Sequence, residues 1–142
     1  MYADYSYYMD TYYGDVFADE TTYNRYASRA SDFLDYVTMG KLAGNLPSDE
    51  PSLNKIKKAV CVAAEELKAI DQRRAEIAGA STGAVRSISS GGESVSFELS
   101  AMDQAITAGE SAVNAYLYDK VRIYLSMVSD DRGNLYLYRG LS

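Results

Sequence analysis

LNKIKKAVCVAAEELKAIDQRRAEI, residues 53–77, decides how this chain folds. Leu53, Ile56, Val60, Ala63, Leu67, Ile70 and Ile77 recur in alternating steps of three and four, and Arg74 fills the one polar slot. That spacing draws a continuous apolar seam along one side of a helix, as a helix packed in a bundle requires. Ser48 or Asp49 stands where an N-cap is needed, and Pro51 is tolerated in a first turn. The pattern predicts a helix over about 50–78. Upstream, LAGNLPSDEPS (42–52) holds both prolines and reads as a loop.

Before that loop lies a second strong period. Tyr23, Tyr26, Ala27, Ala30, Phe33, Leu34 and Val37 share one face, Asp19 can cap the start, and Gly40 suits the stop. A helix over about 19–38 is expected, preceded by a tyrosine-rich arm (1–18) that is extended or forms a short helix with a turn at Gly14. After the central helix, GASTGAVRSISSGGESVSFE (79–98) mixes Ser and Gly with Val85, Ile88, Val95 and Phe97. Its short alternation around SSGG suggests a β-hairpin over about 85–97, with a plain flexible linker as the alternative. A third helix is expected over about 101–128. Gly109 lies on its apolar face and marks either a close helix crossing or a break into two helices. The ending NLYLYRG alternates Leu135 and Leu137 with Tyr136 and Tyr138, the pattern of a short terminal strand. The expected fold is one mainly α domain over 1–142: a small helical bundle with a β-hairpin insertion and a short C-terminal strand.

Composition narrows function. The chain has 142 residues, a net charge of −6, and 20 acids against 14 bases, which argues against phosphate backbones as its main partner. No apolar run approaches the roughly 18 residues of a membrane span. The acidic N-terminus does not read as a signal peptide, and the single Cys61 suits a reducing cytosol. With no histidine, His-based acid–base chemistry and His metal sites are excluded, and one cysteine cannot build a metal cage. No cofactor is expected.

The short motifs favour plain readings. Ser52-Leu-Asn-Lys55 matches the Ser-x-x-Lys of penicillin-recognising enzymes but lacks the partner motifs. SSGGES has no lysine to complete a phosphate loop. Asp130 to Asn134 lacks the alternating ligands of a calcium loop and reads as a turn. Glu65 and Glu66 point apart on a helix and read as solvated surface. Cys61 reads as a structural, half-buried thiol. These readings place the chain outside enzymes.

The tyrosines are the remaining signal, fourteen against three Phe. Tyr23, Tyr26, Tyr116 and Tyr124 sit on helical stripes and belong to packing. Tyr2, Tyr5, Tyr7, Tyr8, Tyr12, Tyr13, Tyr136 and Tyr138 crowd the two ends, too many for one small core. Tyrosine gives large amphipathic contact area and is enriched where proteins meet, so both ends are candidate interfaces. The alternative is that the arm covers its own bundle.

Three stretches then point to a family. RYASRASDFLDYVTMGKL (25–42), following the arm YADYSYY (2–8), resembles the first-helix signature R-A-S-x-x-[IL]-D-x-x-T of the head–tail connector (adaptor) proteins of tailed phages and prophages. KKAVCVAAEEL (57–67) resembles their Ala/Cys-rich second helix, and YLSMVSDDRGNLYLYRG (124–140), with Arg139, resembles their YL…LLYRG tail. The segment 126–133 departs from the family by being longer and more charged. The resemblance implies a virion assembly protein, made in the bacterial host cytoplasm and placed at the head–tail interface. There it would form a homo-oligomeric ring beneath the portal protein, dock tail-completion proteins, and let DNA pass without specific binding. The interface candidates are then Tyr2, Tyr5, Tyr7, Tyr8, Tyr12, Tyr13, Tyr136, Tyr138 and Arg139, and Tyr5→Ala with Tyr8→Ala is expected to weaken assembly while leaving helicity intact. The rival reading is a helical protein–protein interaction module of a bacterial or prophage regulatory protein. An enzyme with a pair of inward carboxylates ranks last.

Overall fold

The computed structural model describes residues 1–80 and 100–137 and is mainly helical. Five helices stand among the described residues: α1 (Tyr5–Asp10), α2 (Glu20–Val37), α3 (Glu50–Ala80), α4 (Ala101–Ala108) and α5 (Glu110–Leu125). The expected hairpin over 85–97, and Tyr138 and Arg139, lie outside the described residues.

The starts follow local chemistry. Asp4, Asp19 and Asp49 each accept the N–H of the residue three further on, satisfying donors that the first turns of α1, α2 and α3 leave open. Ser100 does the same for α4 through the Asp103 N–H. α2 stops where Gly40 (φ +79°) returns its N–H to the Asp35 carbonyl, and Thr38 Oγ1 bonds the Leu34 carbonyl.

The third predicted helix is divided. α4 ends at Gly109, whose φ of +117° with extended ψ is a conformation open essentially to glycine. A Cβ built there meets no atom within 4 Å, so the residue is needed for its backbone angle and not for a close helix crossing. In an unbroken helix Gly109→Ala would stabilise by about 1 kcal/mol. With the observed angle it should cost about 1–3 kcal/mol in denaturant unfolding of the whole chain.

The chain divides into two compact units: Met1–Leu67 with Leu117–Ser142, and Lys68–Tyr116. In the first, the core is built from Tyr8, Phe17, Tyr23, Leu34, Leu42, Ile56, Val60, Cys61, Val121, Leu125, Val128 and Tyr136, all almost wholly buried. The predicted seam of α3 is thus inward at Ile56, Val60 and Ala63. In the second, Ile70, Ala105 and Val113 are buried, and Arg73 clasps Asp103 through two bonds of 2.6 and 3.1 Å. Arg74, the polar slot of the seam, pairs with Glu110 at 3.3 Å.

The tail departs from expectation. α5 ends at Leu125, and in place of the predicted strand the described residues show a single antiparallel bridge, Ser129 to Leu135. It closes the Asp130–Asn134 turn. The Asp130 carboxylate accepts from the Arg132 and Asn134 N–H groups and from Asn45 Nδ2, which together hold its pKa down at about 2. A side chain that satisfies the local backbone this way leaves little for a ladder to do. The turn reading of this segment is the structural one.

Candidate functional site

The arm that carried the sequence argument is an ordered layer on its own unit. α1 presents tyrosines in all directions, and almost every phenol finds an acceptor far away in the chain. The Tyr2 N–H donates to Ser31 Oγ (3.0 Å) and its hydroxyl to Asp35 (2.5 Å). Tyr5 donates to the Phe17 carbonyl, and Tyr7 to Asn54 Oδ1 at 2.6 Å, with Lys57 over its ring. Tyr12 is half-buried and stacks on Tyr8 at 5.8 Å.

Tyr8 is the centre. It is 0% exposed, its hydroxyl donates to Glu65 Oε2 at 2.8 Å, and the Tyr8 hydroxyl oxygen accepts the Val16 and Phe17 N–H groups. Its ring meets Tyr5, Tyr23 and Phe17 at centroid distances of 6.0, 4.8 and 5.5 Å. Gly14, folded back over the ring by a turn in which Tyr13 has φ +60°, leaves no room for a side chain: an added Cβ would overlap the phenol. Tyr23 completes the cluster, donating to the Ala3 carbonyl at 2.9 Å and lying 3.8 Å from Cys61 Sγ.

Burial changes the chemistry of this layer. It pushes the Tyr7 and Tyr8 phenols and the Cys61 thiol up to about 12, and raises Tyr2, Tyr12 and Tyr23 further. Burial also raises the Glu65 carboxyl, against the Tyr8 hydrogen bond that lowers it. Glu65 is therefore not the solvated residue its sequence position suggests; it is half-buried beneath the arm. Cys61 is more buried than expected, and a thiol so held is inert.

Of the nine candidate interface residues, then, Tyr8 and Tyr136 are core, with the Tyr136 hydroxyl donating to the Asn45 carbonyl at 2.5 Å. Tyr2, Tyr5, Tyr7 and Tyr12 are half-buried, and Tyr13 alone of the described ones stands out, 80% exposed. Tyr5→Ala with Tyr8→Ala is consequently a core lesion that reports on stability before it reports on any partner. Among the helical tyrosines, Tyr23 and Tyr26 are buried as expected, while Tyr116 and Tyr124 are half-buried.

Sequence reasoning passed over Tyr36, Met39, Ile123 and Met127, which are 65, 63, 72 and 81% exposed. The signal was present: each is a large apolar residue that falls off the stripe of its own segment. A cleft of 420 Å³ between the arm and the start of α3, walled by Tyr7, Ser48, Leu53 and Lys57, has Glu50 as its one acid. It offers no carboxylate pair for glycosidase-type chemistry. Among the described residues, no group of three or more His, Cys, Asp or Glu is placed to hold a metal ion, and no helix is long and apolar enough to cross a membrane.

The fold defines a mainly helical protein whose first unit is faced with tyrosine. No protein-family model matches the chain, and no curated protein or solved structure does either.

Proposed function

We propose that this chain is a head–tail connector of a tailed phage or prophage, a non-enzymatic ring subunit placed beneath a portal protein. The observation that carries the reading is the use made of the signature segment. Within it, Ser31 and Asp35 accept the N–H and O–H of Tyr2, Ala30 and Leu34 are fully buried, and Thr38 closes the helix. The arm and the signature that resemble the family are thus each other's contact partners. The other two resembling stretches, 57–67 and the described part of 124–140, belong to the same compact unit.

The electrostatics fit the role. A net charge of −6 leaves few phosphates neutralised, so DNA would slide past such a ring without being held. The runner-up, a helical interaction module of a regulatory protein, predicts a monomer or dimer in all conditions. Light scattering of the purified protein, alone and mixed with the cognate portal, separates the two. A closed ring, formed alone or only with portal, is the expected result; a monomer that ignores portal would overturn the connector reading.

A further inference from the structure

Large apolar side chains are exposed in pairs at the ends of two helices of the first unit. At the end of α2 stand Tyr36 and Met39, beside the acids Asp32 and Asp35, the latter also holding the Tyr2 hydroxyl, and one base, Lys41. At the end of α5 stand Ile123 and Met127, one helical turn apart, beside Lys120 and Arg122, with Asp119 paired to Arg122 at 3.3 Å. Most of each of these four side chains faces out of the unit, with the Tyr36 ring keeping one aromatic neighbour, Phe33, at 6.1 Å. The loop after α2 holds the two helix ends at the same end of the unit: Asn45 bonds Asp130 and Tyr136, and Ser48 bonds Asp131.

We propose that these two patches are the two halves of one contact between copies of this chain, the α5 end of one copy seated on the α2 end of the next. The inference rests on the ring reading and deepens it by naming the subunit surface. The occupant is set by charge. An α2 end facing another α2 end would oppose Asp32 and Asp35 to their own copies. An α5 end brings Lys120 and Arg122 against those acids, with apolar side chains meeting at the centre. Because the patches differ, the contact is heterologous, and because they lie at the same end of the unit, neighbours can stand side by side in a common orientation. Such a contact propagates into a closed ring when the rotation closes.

The test uses two full-length variants: Tyr36→Glu with Met39→Asn, and Ile123→Glu with Met127→Glu. Asn is chosen at 39 because the backbone there has φ +58°, which Asn tolerates. All four side chains are exposed, and unchanged circular dichroism checks that both variants fold. Association is read by sedimentation at high concentration, alone and with portal. Each variant should lose self-association by roughly 30-fold or more, the size of a hot-spot loss. Mixed together, they should give a dimer that grows no further, since each retains one intact half. Variants that assemble like the wild type, while the wild type forms a ring, would overturn this contact and leave the connector reading standing. One variant alone self-pairing as a dimer would show an isologous contact and also overturn it. Loss of portal binding with self-association intact would assign the patches to the portal and overturn it as well. A wild type that forms no assembly in either condition removes the ring and the contact together.

Discussion

Tyr8→Ala should destabilise the protein by about 3–5 kcal/mol, the range for emptying the site of a fully buried aromatic. Its ring contacts four other aromatic rings, and its hydroxyl ties the Glu65 carboxylate to two backbone N–H groups at the end of the arm. A loss of that size is a large share of the roughly 5–15 kcal/mol that holds an ordinary domain. Tyr8→Phe keeps the ring but strands the hydrogen-bond partners, and should cost about 1–3 kcal/mol. Tyr13→Ala, at the one exposed tyrosine of the arm, should stay within about 0.5 kcal/mol of the wild type. Urea unfolding of the three variants checks the order. Equal stability of Tyr8→Ala and Tyr13→Ala would mean that the arm is not packed as described.

The second large effect is alkaline. The folded chain holds the Tyr8 and Tyr136 phenols at about 12 against an ordinary 10, and the Cys61 thiol at about 12 against 9, burial being the first cause in each case. Below the ordinary values both states keep these protons, and the stabilisation is fully present. Between about pH 10 and 12 the unfolded chain releases protons that the folded chain retains, so stability falls as pH rises. Three such buried groups together remove roughly 4 kcal/mol per pH unit across that window. Two units of pH then exhaust a typical domain, and cooperative unfolding is expected by about pH 12. Tyrosinate absorbance and far-ultraviolet circular dichroism should change together. Gradual ionisation of all the tyrosines near their ordinary value, with helicity untouched, would count against the buried cluster.

The sequence by itself determined the helices and their punctuation. The seam from Leu53 to Ile77, the Asp19 and Asp49 caps, the Gly40 stop and the Asp130 turn are all local, and local spacing carries them. Gly109 was legible as either a close helix crossing or a break, and the choice between an absent Cβ and a permitted backbone angle is made by neighbours in space.

Tertiary structure alone decided which way the tyrosines face. A phenol is apolar in its ring and polar at its tip, so its burial depends on whether an acceptor waits inside. For Tyr8 that acceptor is Glu65, for Tyr7 it is Asn54, and for Tyr2 it is Asp35, each more than thirty residues away and none marked by any local pattern. The same distance hid the exposed pairs at the ends of α2 and α5. A helix records in its spacing which residues share a face, but only its packing partners determine which apolar residues are left over for another molecule.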